Sequence, residues 1–141
     1  LSASIIKWLA GNVIPTAPHS PEAVILGTAS PEASQGMNIA RTTSLLAGLP
    51  NTTDAFTLCR ADASSLTAVQ LTVAAIENGL YSFAIAGGVE SMSSVPFGGF
   101  NPSPSMALLQ SHPETYSPGG ITAENWLSVL EFYARNRTPS P

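Results

Sequence analysis

Residues 54–88 read DAFTLCRADASSLTAVQLTVAAIENGLYSFAIAGG. Asp54–Leu58 (DAFTL) is short and flanked by polar residues, and its apolar content predicts a strand. From Asp62 to Asn78 the residues Leu66, Val69, Val73 and Ile76 recur at helical spacing, and Gly79 is placed to stop a helix there. Ser82–Ala86 (SFAIA) predicts a further strand, ended by Gly87-Gly88. Strand, helix and strand within so few residues form the crossover unit that joins parallel strands. The helix is apolar nearly all round (Leu66, Ala68, Val69, Leu71, Val73, Ala74, Ala75, Ile76), the pattern of a buried central helix.

The same alternation continues upstream. Ala23–Thr28 (AVILGT) is an apolar run suited to a strand covered on both faces. Ile39, Leu45 and Leu46 mark a helix ending at Gly48, and Ser4–Gly11 (SIIKWLAG) reads as the end of another helix, followed by a loop at Pro15, Pro18 and Pro21. The β-α-β-α-β order defines an α/β domain with a mainly parallel, mixed sheet and a buried central helix. Downstream, residues 91–120 are rich in Pro, Gly and Ser and read as a long loop, of the kind that is functional or held by a neighbour. Thr122–Arg135 predicts a last helix with Thr122 as N-cap and Glu124 in the first turn, before a frayed TPSP tail. The expected organisation is a core over 1–90, a loop over 91–120, and a helix with its tail over 121–141. The chain opens inside a helical pattern, so more chain is expected before Leu1.

Charged residues make up 10% of the 141, and Lys7 is the single lysine. So little surface charge points to a surface covered by protein partners. A net charge of −4 without clustered Lys and Arg argues against nucleic acid. No apolar run reaches the ~18–20 residues of a membrane span. One cysteine, Cys59, rules out a disulfide within the chain. Asn51-Thr52-Thr53 fits a glycosylation sequon, with nothing else to suggest secretion. An intracellular setting is expected, with mitochondrion, peroxisome and cytoplasm left open.

Four segments together resemble the thiolase family (acetyl-CoA acyltransferases): VILGT with QGMNIARTTSLLAGLP, DAFTLCRADASSLTAVQ, FAIAGGVESMS, and HPETYSPGGITAEN. Their order and spacing agree with the N-terminal half of that family over roughly residues 20–126. The resemblance implies a thiolase-type fold and an acyl-CoA substrate class. It also implies that the second segment sits where the family carries a nucleophilic cysteine, at the start of a helix whose dipole favours the thiolate. Aligned without gaps, the family's Cys-x-Ser-Gly-Leu falls on Asp62-Ala63-Ser64-Ser65-Leu66, so the nucleophile position holds Asp62. A carboxylate there suits a helix N-terminus and caps it, but does not take up and release an acyl group as a thiol does. Cys59 is the alternative, if Arg60–Asp62 is an insertion; the plainer reading of Cys59 is a small buried strand residue.

The family's other catalytic groups, two histidines and a second cysteine, belong to its C-terminal half. His19 and His112 are expected to be solvated loop residues, without partners at metal-ligand spacing. Gly87 and Gly88 mark either a close backbone approach near an acyl site or a tight strand exit. Glu90 is expected to make a structural hydrogen bond, Asn38 and Arg41 to brace loops, and Ser64 and Ser65 to bond as caps do. No cofactor or metal is expected.

Two functions follow. One is a catalytically inactive thiolase-like domain, a structural or accessory subunit that meets protein partners through strand 54–58, loop 91–120, or both. In the family that strand pairs with its twin across a dimer. The alternative is a fragment or half of an acetyl-CoA acyltransferase, completed by another chain.

Overall fold

The computed structural model describes residues 1–13 and 20–136, with side chains described as far as residue 131. His19 and the TPSP tail lie outside the described residues. The chain divides into two units, Leu1–Asn101 and Pro102–Pro141.

In the first unit, helix α1 (Ser2–Asn12) is followed by strand β1 (Ala23–Gly27), helix α2 (Ile39–Leu46), strand β2 (Asp54–Leu58), helix α3 (Ser64–Glu77) and strand β3 (Ala84–Gly88). The sheet order is β2-β1-β3, and both pairings are parallel, so the sheet is parallel throughout the described residues rather than mixed. Register pairs Ala23 with Asp54 and with Ala84, which brings the carboxyl ends of all three strands level at Gly27, Leu58 and Gly88. β1 runs between the other two and is buried at every residue, as its unbroken apolar run requires.

The two crossovers leave in opposite directions across the sheet, so right-handed connections put α2 and α3 on opposite faces. Val24 and Leu26 of β1 and Ala55 of β2 join Ile6, Ala40, Ala47 and Leu49 in one core cluster beneath α1 and α2. Side chains alternate along a strand, and Gly27 accordingly faces α3. Asn38 starts α2 from a left-handed backbone conformation (φ +57°), with its side-chain oxygen accepting from the Arg41 amide. Gly48 and Gly79 (φ +84° and +74°) take up the left-handed turns just past α2 and α3.

Helix α3 packs against β1 and β3 as the pattern predicts, but it is not a buried central helix in this chain. Only its stripe of small residues, Ser64, Ala68 and Thr72, is buried. Leu66 is 62% exposed, and Val69, Leu71, Val73 and Ile76 are exposed as well. The reason is that one layer of sheet covers one face of the helix, and no second layer among the described residues of the first unit covers the other.

Strand β3 begins two residues later than expected. Glu22 holds Ser82 in the preceding turn, its carboxylate accepting from the Ser82 amide at 2.8 Å and the Ser82 hydroxyl at 2.6 Å. The ladder therefore runs on through Gly87 and Gly88.

In the second unit, residues expected to form an irregular loop contain helix α4 (Met106–Ser111) and a 3-10 turn at Pro113–Tyr116. Ser105 caps α4, and its own amide donates to the Tyr116 hydroxyl at 3.0 Å. This local bonding gives order to a stretch whose composition signals none. Helix α5 (Gly119–Asn136) starts before Thr122, which is therefore inside the helix and not its cap. The described side chains of α5 are all exposed.

Candidate functional site at the carboxyl ends of the strands

Three loops meet where the parallel strands end, the position at which α/β sheets form their crevices. Two of them follow β1 and β3. The third joins β2 to α3 and is a tight turn through Cys59, Arg60, Ala61 and Asp62. Ala61 holds a positive φ of +46°, an uncommon conformation for a residue with a Cβ. Ser64 organises the turn: its hydroxyl accepts from the Arg60 amide (2.8 Å) and donates toward the carbonyls of Ala61 (2.5 Å) and Thr28 (3.2 Å). The expected cap-type bonding is not what Ser64 does: its hydroxyl ties the turn before α3 to the end of β1 and bonds no amide of the helix's first turn. Asp62 does not cap α3, because the N-cap residue is Ala63, which makes no side-chain bond, so the Asp62 carboxylate remains exposed.

The first turn of α3 rests directly on the strand ends. A Cβ on Gly27 would lie 2.3 Å from the Ser64 carbonyl carbon, and one on Gly88 would lie 2.6 Å from the Ser65 Cβ. A Cβ on Gly87 would meet nothing nearer than Leu26 at 3.8 Å. Of the two glycines singled out in the sequence, Gly88 is fixed by close approach of the helix and Gly87 is not.

Glu90 joins the loops after β1 and β3. One carboxylate oxygen accepts from the Ala29 amide (2.6 Å) and the Thr28 hydroxyl (3.1 Å), the other from Gln35 Nε2 (2.7 Å). Partial desolvation pushes this carboxyl up, but the bonds from Ala29, Gln35, Thr28 and Ser30 outweigh it and hold it below its ordinary range. Glu90 thus joins the two loops as a structural hub, the hydrogen-bonding role expected of it. Gln35, buried beneath it, also donates to the Ser30 carbonyl (2.9 Å) and accepts from the Ser91 amide. Glu32 accepts from the Phe100 amide at 2.8 Å and lies against Gly99. Neither Gln35 nor Glu32 stands out in the sequence, since the bonds to Glu90 and Phe100 span 55 and 68 residues.

Around this frame is a cleft of about 440 Å³, with an apolar wall from Ala29, Pro31, Met92, Val95 and Phe97 and with Glu32, Asp62 and Glu90 at its margin. Asp62 and Glu90 also line an adjoining hollow over Gly27, Ser64, Ser65 and Gly88. Cys59 does not line either. It is exposed one residue beyond β2, with its thiol donating to the Ala29 carbonyl at 3.3 Å, and is not the buried strand residue expected. The strand ends before it, so no layer closes over it. Asn38 and Arg41 do brace the turn into β2 and the strand itself: Asn38 donates to the Ala55 carbonyl (2.9 Å), and Arg41 donates to the carbonyls of Thr53 (2.7 Å) and Asn51 (3.0 Å). His112 lies in the second unit, exposed beside Ser111. Among the described residues no group of His, Cys, Asp and Glu is arranged to hold a metal, and no helix is long and apolar enough to cross a membrane.

An α/β layer with a crevice over a strand-to-helix turn is a class of fold shared by many enzymes; comparison with known proteins narrows it. The family model for the thiolase N-terminal domain matches residues 1–131, and the chain belongs to the thiolase family. It is 46% identical over 101 residues to the 3-ketoacyl-CoA thiolase of Bacillus subtilis (strain 168), a match covering 72% of this chain and 26% of that protein. With the 3-ketoacyl-CoA thiolase of Shewanella sp. (strain ANA-3) it shares 42% over 96 residues, 68% of this chain and 25% of the relative. The chain thus matches about a quarter of the length of these relatives. Its fold is similar to that of the Acat5 thiolase from Ascaris suum, solved in complex with coenzyme A. The TM-score is 0.64 at 24% identity, over 94% of this chain and 37% of the other.

Proposed function

We propose that this chain is a thiolase-type N-terminal domain that transfers no acyl group itself and serves as a structural or accessory subunit of a larger assembly. The observation that carries this reading is Asp62, a carboxylate at the turn into α3 and on the edge of the cleft. Family likeness suggests this turn as the nucleophile's place, and a carboxylate there cannot exchange thioesters as a thiolate does. Among the described residues no cysteine or histidine lines the cleft. The assembly is supported by the uncovered apolar side of α3 and by the edge position of β2. Partner contacts are assigned to strand 54–58, loop 91–120, or both.

A second reading is favoured by the comparisons: 46% identity to a 3-ketoacyl-CoA thiolase over about a quarter of its length supports a part of an acyltransferase completed by further chain. Thiolysis of acetoacetyl-CoA by the purified chain separates the two. The expected result is no turnover above a protein-free control, for the chain as it stands and for Asp62→Cys, since a lone thiol still lacks an acid–base partner. Turnover that Cys59→Ser abolishes would overturn the accessory reading and favour the second.

A further inference from the structure

Helix α3 carries its exposed apolar residues in a pattern that narrows what can cover them. Leu66, Val69, Val73 and Ile76 are between 40% and 62% exposed. They recur at alternating intervals of three and four residues, the a/d seam of paired helices. With 3.6 residues per turn, this seam lies about 120° round the helix from the buried stripe of Ser64, Ala68 and Thr72, so the sheet does not reach it. A seam of this period fits a facing helix, whose side chains enter the spaces between its own.

Charge narrows the occupant further. From Ser64 to Ile76 the helix has no charged residue, so nothing along the seam opposes an identical helix. The charges stand at its two ends. Arg60 precedes the helix and reaches along it to the Thr67 hydroxyl at 3.3 Å, and Glu77 is its last residue; both are exposed. Glu77 and Thr67 lie on the same flank of the seam. In an antiparallel pair of α3 helices, that flank meets the same flank of the other copy with the ends exchanged. Each Glu77 then falls near Arg60 and the positive helix end of the second copy. A parallel pair brings the two Glu77 carboxylates level with each other instead.

We propose that α3 pairs with α3 of a second copy of this chain, antiparallel about a two-fold axis, with Leu66 against Ile76 and Val69 against Val73 of the other copy. The contact is isologous, as two-fold symmetry requires. Four half-exposed side chains supply roughly a few hundred Å² per copy, below the ~800 Å² of a standard interface, so the dimer is expected to exchange with monomer in the micromolar range. This pairing rests on the accessory reading, in which no further length of transferase completes the chain. The two fail separately: acyl transfer by the chain overturns that reading, whereas a monomer without acyl transfer overturns only the pairing.

The test is sedimentation equilibrium of the full chain across the micromolar range, with far-UV circular dichroism of every variant to show that it folds. The unaltered chain is expected to fit a monomer–dimer equilibrium. Val69→Glu alone and Val73→Lys alone are each expected to weaken it by roughly tenfold or more, as charges buried at the centre of a seam do. An equimolar mixture of the two variants is expected to recover the dimer, since antiparallel pairing sets Glu against Lys. Leu71→Gln, at a comparably exposed position off the seam, is expected to leave the equilibrium unchanged. A monomer at every concentration overturns the proposal, as does an association that Val69→Glu and Val73→Lys leave intact. Loss of the dimer in both variants without recovery in the mixture overturns the antiparallel pairing.

Discussion

At Gly88 the absence of a side chain lets a helix settle onto a strand. Ser65 occupies the space into which a Cβ would project, 2.6 Å away, and the Gly27 carbonyl is 3.2 Å away on another side. Adding one methyl group forces α3 off the sheet ends, at a cost in the 1–3 kcal/mol range of overpacked cores. Gly88→Ala is expected to lower the urea midpoint by the equivalent of about 2 kcal/mol, while Gly87→Ala, with 3.8 Å of room, lowers it much less. Chemical denaturation of the two variants side by side checks this, and equal losses would contradict the packing described. In the sequence the two glycines are indistinguishable. Which of them is essential depends on where α3 lands, and that is decided by Ser65 on a helix distant in sequence.

At the scale of elements, the loops after β1 and β3 are joined through one ionised group. Because the Glu90 carboxyl is held below its ordinary range, its contribution is present in full above the unfolded-state value and is lost as pH falls through the folded-state value. The difference in urea midpoint between the unaltered chain and Glu90→Gln is therefore expected to be largest near neutral pH. It should close only as the solution is acidified beyond the ordinary carboxylate range, through the lowered folded-state value. A difference independent of pH would mean that Glu90 acts through packing alone. Much at this scale was legible in the sequence. β2 lies over Asp54–Leu58 as its pattern predicts, and α3 is displaced by only two residues at its start and one at its end. Strand β3 was displaced because Glu22, a residue from another loop, fixes its entry. Helix α4 was not legible at all, since a Ser cap and a tyrosine hydroxyl eleven residues away stabilise it within a stretch of loop-like composition. At the site, the turn around Asp62 was legible, whereas the Gln35–Glu90 frame was not, because no local pattern announces a bond across 55 residues.

For the whole molecule, the governing fact is a helix that the sequence reads as central and the fold leaves half uncovered. From Ser64 to Ile76 helix α3 carries no charge, and its outward side presents Leu66, Val69, Val73 and Ile76 to solvent. Helices apolar all round are stable when buried on all sides, and monomers seldom leave large contiguous apolar surface in water. Strand β2 adds an open edge, although Asn38 already occupies the Ala55 carbonyl and the Ala40 amide donates to the Thr57 hydroxyl there. Such a surface is expected to be covered by other protein. Sedimentation velocity of the purified chain at micromolar concentration, with thermal unfolding of the same sample, tests this most directly. The predicted result is a species heavier than one chain, or a single chain that unfolds without cooperativity. A discrete monomer with a sharp, cooperative unfolding transition would contradict it.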